Sequence, residues 1–241
     1  MKKLLLGLLL ISSVLSFGAT QRVGIEKLVT NESRDTLYLE ETKKPYSGEV
    51  ERKYPDGKLL GIATVKDGKF NGKSYEYYEN GKLKIEENYV NGKSEGVSKV
   101  FYPNGKVKYE TPYKNDKKEG VEKFYSENGI LMSEIPFKND IVIGVAKVYN
   151  AQTGKLEYEE NLVNGKRNGL SKKYYPSGKV LNEVNFKDDK EEGIMRVYYE
   201  TGKLQGEIPY KNGQVDGVVK AYDENGKLIE QAVYKNGEEV K

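Results

Sequence analysis

The side chains here that could do chemistry are carboxylates, lysines and tyrosines. The 241 residues contain no Cys and no His. That excludes a thiol nucleophile, a Cys-ligated metal, an iron–sulfur cluster and a Ser-His-Asp triad. Paired carboxylates are the one catalytic constellation left. The Glu residues recur in fixed phase with Lys, which is the pattern of a structural duty, and no single exception to that phase stands out as a site. The chain is therefore expected to be non-catalytic, with no cofactor and no metal. Asp188-Asp189-Lys190-Glu191-Glu192 is acidic enough for weak calcium contact but lacks the spacing of an EF-hand loop.

Recognition is the other chemistry on offer. Tyr77, Phe101, Tyr125, Tyr149, Tyr174, Tyr198 and Tyr222 recur once per repeat beside alternating charges. Tyr combines a large contact area with a polar tip, which suits a protein or glycan partner, and these seven are the candidate partner-binding residues. Lys58, Lys82, Lys106, Lys155, Lys179, Lys203 and Lys227 form a second row. It either keeps the turns soluble or makes a weak contact with an anionic membrane surface.

Both rows follow from one repeated element. Gly48, Gly72, Gly96, Gly120, Gly144, Gly169, Gly193 and Gly217 are 24 residues apart, with one step of 25. Gly57, Gly81, Gly105, Gly129, Gly154, Gly178, Gly202 and Gly226 keep the same period, as do Gly68, Gly92, Asp116, Asp140, Gly165, Asp189, Gly213 and Gly237. The longer step lies in Asn150-Ala151-Gln152-Thr153-Gly154. Each unit reads as a β-hairpin: two strand-like runs joined by Asn-Gly or Asp-Gly, as in Asn104-Gly105, the pattern of a type I′ turn with positive φ at both central residues.

A two-residue turn at Asn104-Gly105 would face Lys99 with Glu110, Val100 with Tyr109 and Tyr102 with Val107. In other units it would pair Lys123 with Glu134, Lys172 with Glu183 and Arg196 with Glu207. Unlike charges meet four times, which supports the register. One face then carries an apolar series (Leu59, Leu83, Val107, Leu131, Leu156, Val180, Leu204, Leu228). It also carries a second series opposite the first glycines: Val65, Tyr89, Tyr113, Phe137, Leu162, Phe186, Tyr210 and Tyr234. The other face carries the Lys–Glu pairs and the Tyr77–Tyr222 row. Pro112, Pro136 and Pro209 fall within strands and call for a bulge or an unpaired N–H.

The ends differ from the middle. Met1-Lys2-Lys3, an apolar stretch over Leu4–Leu15 and small residues at Ser16, Gly18 and Ala19 form a secretory signal peptide, residues 1–18, with cleavage near Gly18/Ala19. Its removal lowers the net charge from +3 to +1, a poor basis for binding nucleic acid. Residues 19–47 read as an N-terminal segment with a capping half-repeat, and 48–241 as eight repeats.

The frame Gly-x5-Tyr-x2-Asn-Gly-Lys-Leu…Tyr-x-Asn-Gly-Lys-x2-Gly resembles the bacterial variant of the MORN repeat, a family often labelled YwqK-type antitoxin of a toxin–antitoxin system. The resemblance covers about residues 36–241. It implies an extended hairpin ladder that binds proteins or lipids and carries no catalytic motif. The antitoxin label implies neutralisation of a cytosolic toxin, from which the signal peptide departs.

The expected fold is all-β: one twisted antiparallel layer of about 16–18 strands, roughly 80 Å long at about 4.8 Å per strand. A single layer cannot bury both faces. It must curl over its apolar face, self-associate through it, or hold a partner. The expected function is that of a secreted or surface-exposed repeat protein binding a protein, glycan or envelope component. A toxin-neutralising antitoxin or immunity protein and a lipid-binding scaffold are the alternatives.

Overall fold

The structure, a computed structural model, describes residues 21–240; the signal-peptide segment lies outside them. Eight hairpins follow one another along an open sheet of 22 strand segments. Four strands are each split in two by a bulge, as in Lys93–Ser94 and Gly96–Phe101. Almost every pairing joins strands consecutive in the chain. The exception is Arg22–Gly24, which pairs parallel with Gly48–Lys53, so the sheet is mixed rather than wholly antiparallel. Residues 25–47 make that crossover possible, since a parallel pair needs a connection of a dozen residues or more. They contain a 3-10 turn, Ile25–Lys27, and a small hairpin of Leu28–Thr30 with Leu37–Leu39.

The buried core sits at this end. Val23, Tyr46, Val50 and Val65 are buried together, with Leu28, Leu37, Leu39 and Phe70 against them. The Tyr46 hydroxyl lies 2.7 Å from the Gln21 carbonyl and 3.0 Å from that of Glu49. At the opposite end Leu228, Ile229, Val233 and Val240 are exposed. One end of the ladder is capped; among the described residues the other has no such cover.

The two edges of the sheet use different turns. At Pro103-Asn104-Gly105 the Gly105 N–H donates to the Tyr102 carbonyl, and the Tyr102 N–H donates to that of Lys106, both at 2.8 Å. Gly105 has φ 92°, whereas Asn104 is not among the residues with positive φ. This is a three-residue loop, a type I turn closed by a glycine in the left-handed region. The type I′ turn expected here lies on the other edge. There Asn115 and Asp116, with φ of 50° and 69°, form a two-residue loop between Lys114 and Lys117.

The longer loop shifts the register by one residue near the turn. Val107 faces Phe101, not Tyr102, while Tyr109–Val100 and Glu110–Lys99 pair as expected. A one-residue slip moves side chains to the opposite face. The series Leu83, Val107, Leu131, Leu156, Val180, Leu204 and Leu228 therefore lies across from the Tyr77–Tyr222 row, rather than on the face assigned to it from the sequence.

A wider slip follows each type I′ turn but the last. Tyr113 pairs with Lys118, but Glu110 pairs with Lys123, so two extra residues sit on the second strand. Pro112 lies inside this slip, and its carbonyl accepts from the Glu119 N–H at 3.0 Å. Its missing N–H therefore falls where the ladder is already broken, as the sequence called for. The proline ring also packs on the next hairpin. At Gly120 φ is 121°, a region essentially reserved for glycine, and an added Cβ would lie 2.9 Å from Pro112 Cγ. Gly96, at φ 83°, has open space there.

Gly120→Ala should cost about 2 kcal/mol and Gly96→Ala about 1 kcal/mol. Urea unfolding measures both, and Pro112→Ala should recover part of the Gly120→Ala loss. Equal costs would show that the proline contact does not constrain the backbone.

Candidate functional site

The structure extends the four expected charge pairs into one row. Lys99 lies between Glu86 and Glu110, Lys123 between Glu110 and Glu134, and Lys147 between Glu134 and Glu159. The row continues through Lys172, Glu183, Arg196, Glu207 and Lys220. Each inner charge thus faces an opposite charge within its own hairpin and another on the adjacent one. Lys99–Glu110, Lys123–Glu134 and Arg196–Glu207 approach to 3.4, 3.9 and 3.8 Å. Exposed pairs of this kind contribute about 0–1 kcal/mol each, so the value of the row lies in its continuity and in the register it enforces.

The candidate tyrosines lie directly beside this row and are tied to it. Tyr149 donates to Glu134 at 2.7 Å, Tyr174 to Glu159 at 2.6 Å and Tyr198 to Glu183 at 2.7 Å. Tyr125–Glu110 and Tyr222–Glu207 repeat the arrangement at 3.1 and 3.2 Å. Each carboxylate thus holds a ring from the following hairpin. Tyr77 and Phe101 stand in the same row, facing Leu83 and Val107. All seven are half-buried. With their hydroxyls committed, Tyr125, Tyr149, Tyr174, Tyr198 and Tyr222 offer ring surface more than polar tips.

A third row on this face was not recognised in the sequence. Val97, Val121, Val145, Leu170, Ile194 and Val218 are 40–47% exposed. They pair with Pro112, Pro136, Asn161, Asn185, Pro209 and Val233. Their alternation with Lys99 and its equivalents reads as ordinary strand patterning until the period is followed across units. The face is therefore a strip: aliphatic along one margin, alternately charged through the middle, aromatic along the other.

A tyrosine ladder at the turn edge was also missed. Tyr54, Tyr78, Tyr102, Tyr175 and Tyr199 donate to the carbonyls of Tyr77, Phe101, Tyr125, Tyr198 and Tyr222, each on the next hairpin, at 2.6–2.8 Å. Their recurrence at the 24-residue period was the available signal. The turn-edge lysines are exposed. Two of them bridge hairpins: Lys106 Nζ donates to the Asn128 carbonyl at 2.9 Å and Lys155 Nζ to that of Pro176 at 2.6 Å.

The acidic run is dispersed rather than gathered. Asp189 accepts from the Arg167 N–H at 2.8 Å, and Glu192 accepts from that of Asn212 at 2.9 Å. Among the described residues no group of three or more acidic side chains is placed to hold a metal ion.

A ladder of hairpins that satisfy one another defines a repeat scaffold. The profile of the MORN repeat variant matches residues 46–67, 70–91, 94–115, 118–139, 167–188, 191–212 and 215–236, and the chain belongs to that family. The stretch 140–166, between two matches, holds the 25-residue unit. No curated protein matches. Among solved structures, the GtfA/B complex bound to UDP and GlcNAc is similar over 58% of this chain and 27% of that one, at 13% identity and a TM-score of 0.25. A likeness that slight carries no argument about either fold or function.

The tyrosine hydroxyls couple the ladder to pH. Burial, with Glu134 adding to it, pushes the Tyr149 hydroxyl up to about 12. Tyr125, Tyr174, Tyr198 and Tyr222 are raised in the same direction, burial again the largest cause and the neighbouring carboxylate the next. A hydroxyl held protonated by the fold stabilises it fully below the unfolded value, about 10. That contribution is lost as pH rises through the folded value. The melting temperature should therefore fall between about pH 10 and pH 12, with tyrosinate absorbance appearing as the sheet unfolds. Free titration of all tyrosines near pH 10, with the sheet intact, would contradict the Tyr–Glu coupling.

Proposed function

We propose that this chain is an exported, non-catalytic scaffold that binds an elongated protein or glycan partner, or a component of the cell envelope, along the strip beside its charge row. The observation that carries the reading is the strip itself. An uninterrupted margin of exposed Val, Leu and Ile runs beside balanced charge and half-buried rings, and exposed apolar surface bordered by polar groups is the usual mark of an interaction site. Balanced charge favours a partner matched in pattern rather than one attracted by net charge. Export rests on the signal-peptide pattern of residues 1–18.

Val121→Lys, Leu170→Lys and Ile194→Lys, combined in one chain, should keep the sheet, because these side chains already face solvent. The wild-type chain should capture a defined partner from envelope and culture-medium fractions, identified by mass spectrometry. The triple variant should weaken that capture by about tenfold or more. Equal capture by both chains would remove the strip from the site. Uncleaved protein confined to the cytosol would remove export from the reading, and capture of a toxin would redirect it towards neutralisation.

A further inference from the structure

The tyrosine ladder is interrupted in the middle of the sheet. In the fourth and fifth hairpins the ladder position is held by Ser126 and Asn150. Beside Ser126, Ile130 reaches over the turn of the next hairpin, its Cγ2 3.4 Å from where a Cβ on Gly154 would lie. Beside Asn150 the gap is a cleft. Asn150 turns back into its own loop, donating from Nδ2 to Glu157 at 2.6 Å and accepting at Oδ1 from the N–H groups of Gln152 and Thr153. The cleft measures about 780 Å³ and is lined by Leu156, Tyr158, Lys173, Tyr174, Tyr175 and Leu181 among others. That is within the range of ordinary ligand sites, about 300–1,000 Å³.

We propose that this cleft receives a p-hydroxyphenyl ring: a tyrosine side chain carried by the partner polypeptide, which completes the ladder from outside. Five equivalent positions show what fits such a place. Each holds a phenol ring whose hydroxyl donates to a carbonyl of the next hairpin. The corresponding acceptor beside Asn150 is the Tyr174 carbonyl, which Asn150 does not use. In two filled positions a lysine lies over the ring: Lys84 at 5.9 Å from the Tyr78 centroid and Lys108 at 5.4 Å from that of Tyr102. In the fifth hairpin that position is Glu157, and the exposed cation in the cleft lining is Lys173, on the adjacent hairpin.

The tyrosine hydroxyls around the cleft are already bonded. Tyr158 donates to Glu160, Tyr174 to Glu159 and Tyr175 to the Tyr198 carbonyl, while Lys155 and Asn150 are committed as described. These bonds leave the Gln152 amide, one Glu157 oxygen and the Lys173 ammonium as the polar side-chain groups facing a ligand. Ring walls and one carbonyl acceptor suit a ring with a single hydroxyl.

The proposal rests on reading the chain as a binding scaffold, and narrows the partner to a protein. N-acetyl-tyrosinamide is the probe, titrated into the whole chain and followed by amide chemical shifts. Saturable shifts should be confined to residues around 150–158 and 173–181, with a Kd on the order of 1 mM. N-acetyl-phenylalaninamide should bind about threefold or more weakly, the fold-change of one lost hydrogen bond. Asn150→Tyr should abolish the site, and Tyr199→Asn should open a second one on the seventh hairpin.

Absence of saturable binding, equal affinity for the phenylalanine analogue, or tighter binding of a methyl glucoside would each overturn the proposal. So would unchanged binding to Asn150→Tyr with a native circular-dichroism spectrum. If that variant does not fold, Tyr199→Asn decides alone: a new site supports the proposal and none overturns it. Loss of partner capture in the strip variant alongside no probe binding would leave the scaffold reading standing and remove this site. Probe binding alongside capture that is indifferent to the strip would do the reverse.

Discussion

Every hairpin in this sheet is held by its neighbours, because a single layer has no second layer to pack against. The constraint is severe: among the described residues only seven hydrophobic side chains are buried, and four of them cluster at the capped end. Stability must therefore come from contacts that repeat at each junction: backbone ladder bonds, the alternating charges, the tyrosines tied to carboxylates and the ladder of tyrosines tied to carbonyls. Such an array resembles a one-dimensional lattice, in which each unit is as stable as its two interfaces allow. The cap over Val50 and Val65 gives one end an extra interface, and the uncapped end lacks it.

That dependence explains which parts of the fold were legible in the sequence. The period and the in-hairpin pairs were legible because they rest on local needs: glycine where backbone geometry demands it, and opposite charge where strands face each other. The turn type was not. Asn-Gly occurs both in two-residue type I′ loops and in three-residue loops closed by glycine, and only the hydrogen bonds at Tyr102, Gly105 and Lys106 distinguish them. The true type I′ turns are either such glycine pairs, as at Asn91-Gly92, or pairs like Asn115-Asp116, whose short polar side chains tolerate positive φ without glycine. This one-residue difference carried the Leu83–Leu228 series to the opposite face.

The candidate site was legible only in part. The Tyr77–Tyr222 row was found, but not its bonding, because each ring reaches a carboxylate 15 residues earlier in the chain and belonging to the preceding hairpin. The Tyr54–Tyr199 ladder and the exposed Val97–Val218 margin were also missed. The ladder is a property of junctions between units, and the margin shows only when one position is followed from unit to unit. Junctions are also where the fifth hairpin departs from its neighbours, through Asn150 and the one-residue insertion.

The central claim is that each hairpin is stabilised by its neighbours and by the cap at one end. Hydrogen exchange resolved to individual hairpins tests it most directly. Slow exchange is expected through Gly48–Lys66 and the hairpins that follow, and the fastest exchange in the uncapped hairpin of Gly217–Tyr222 and Leu228–Lys235. Equal protection of all eight hairpins, or greatest protection at the uncapped end, would contradict it.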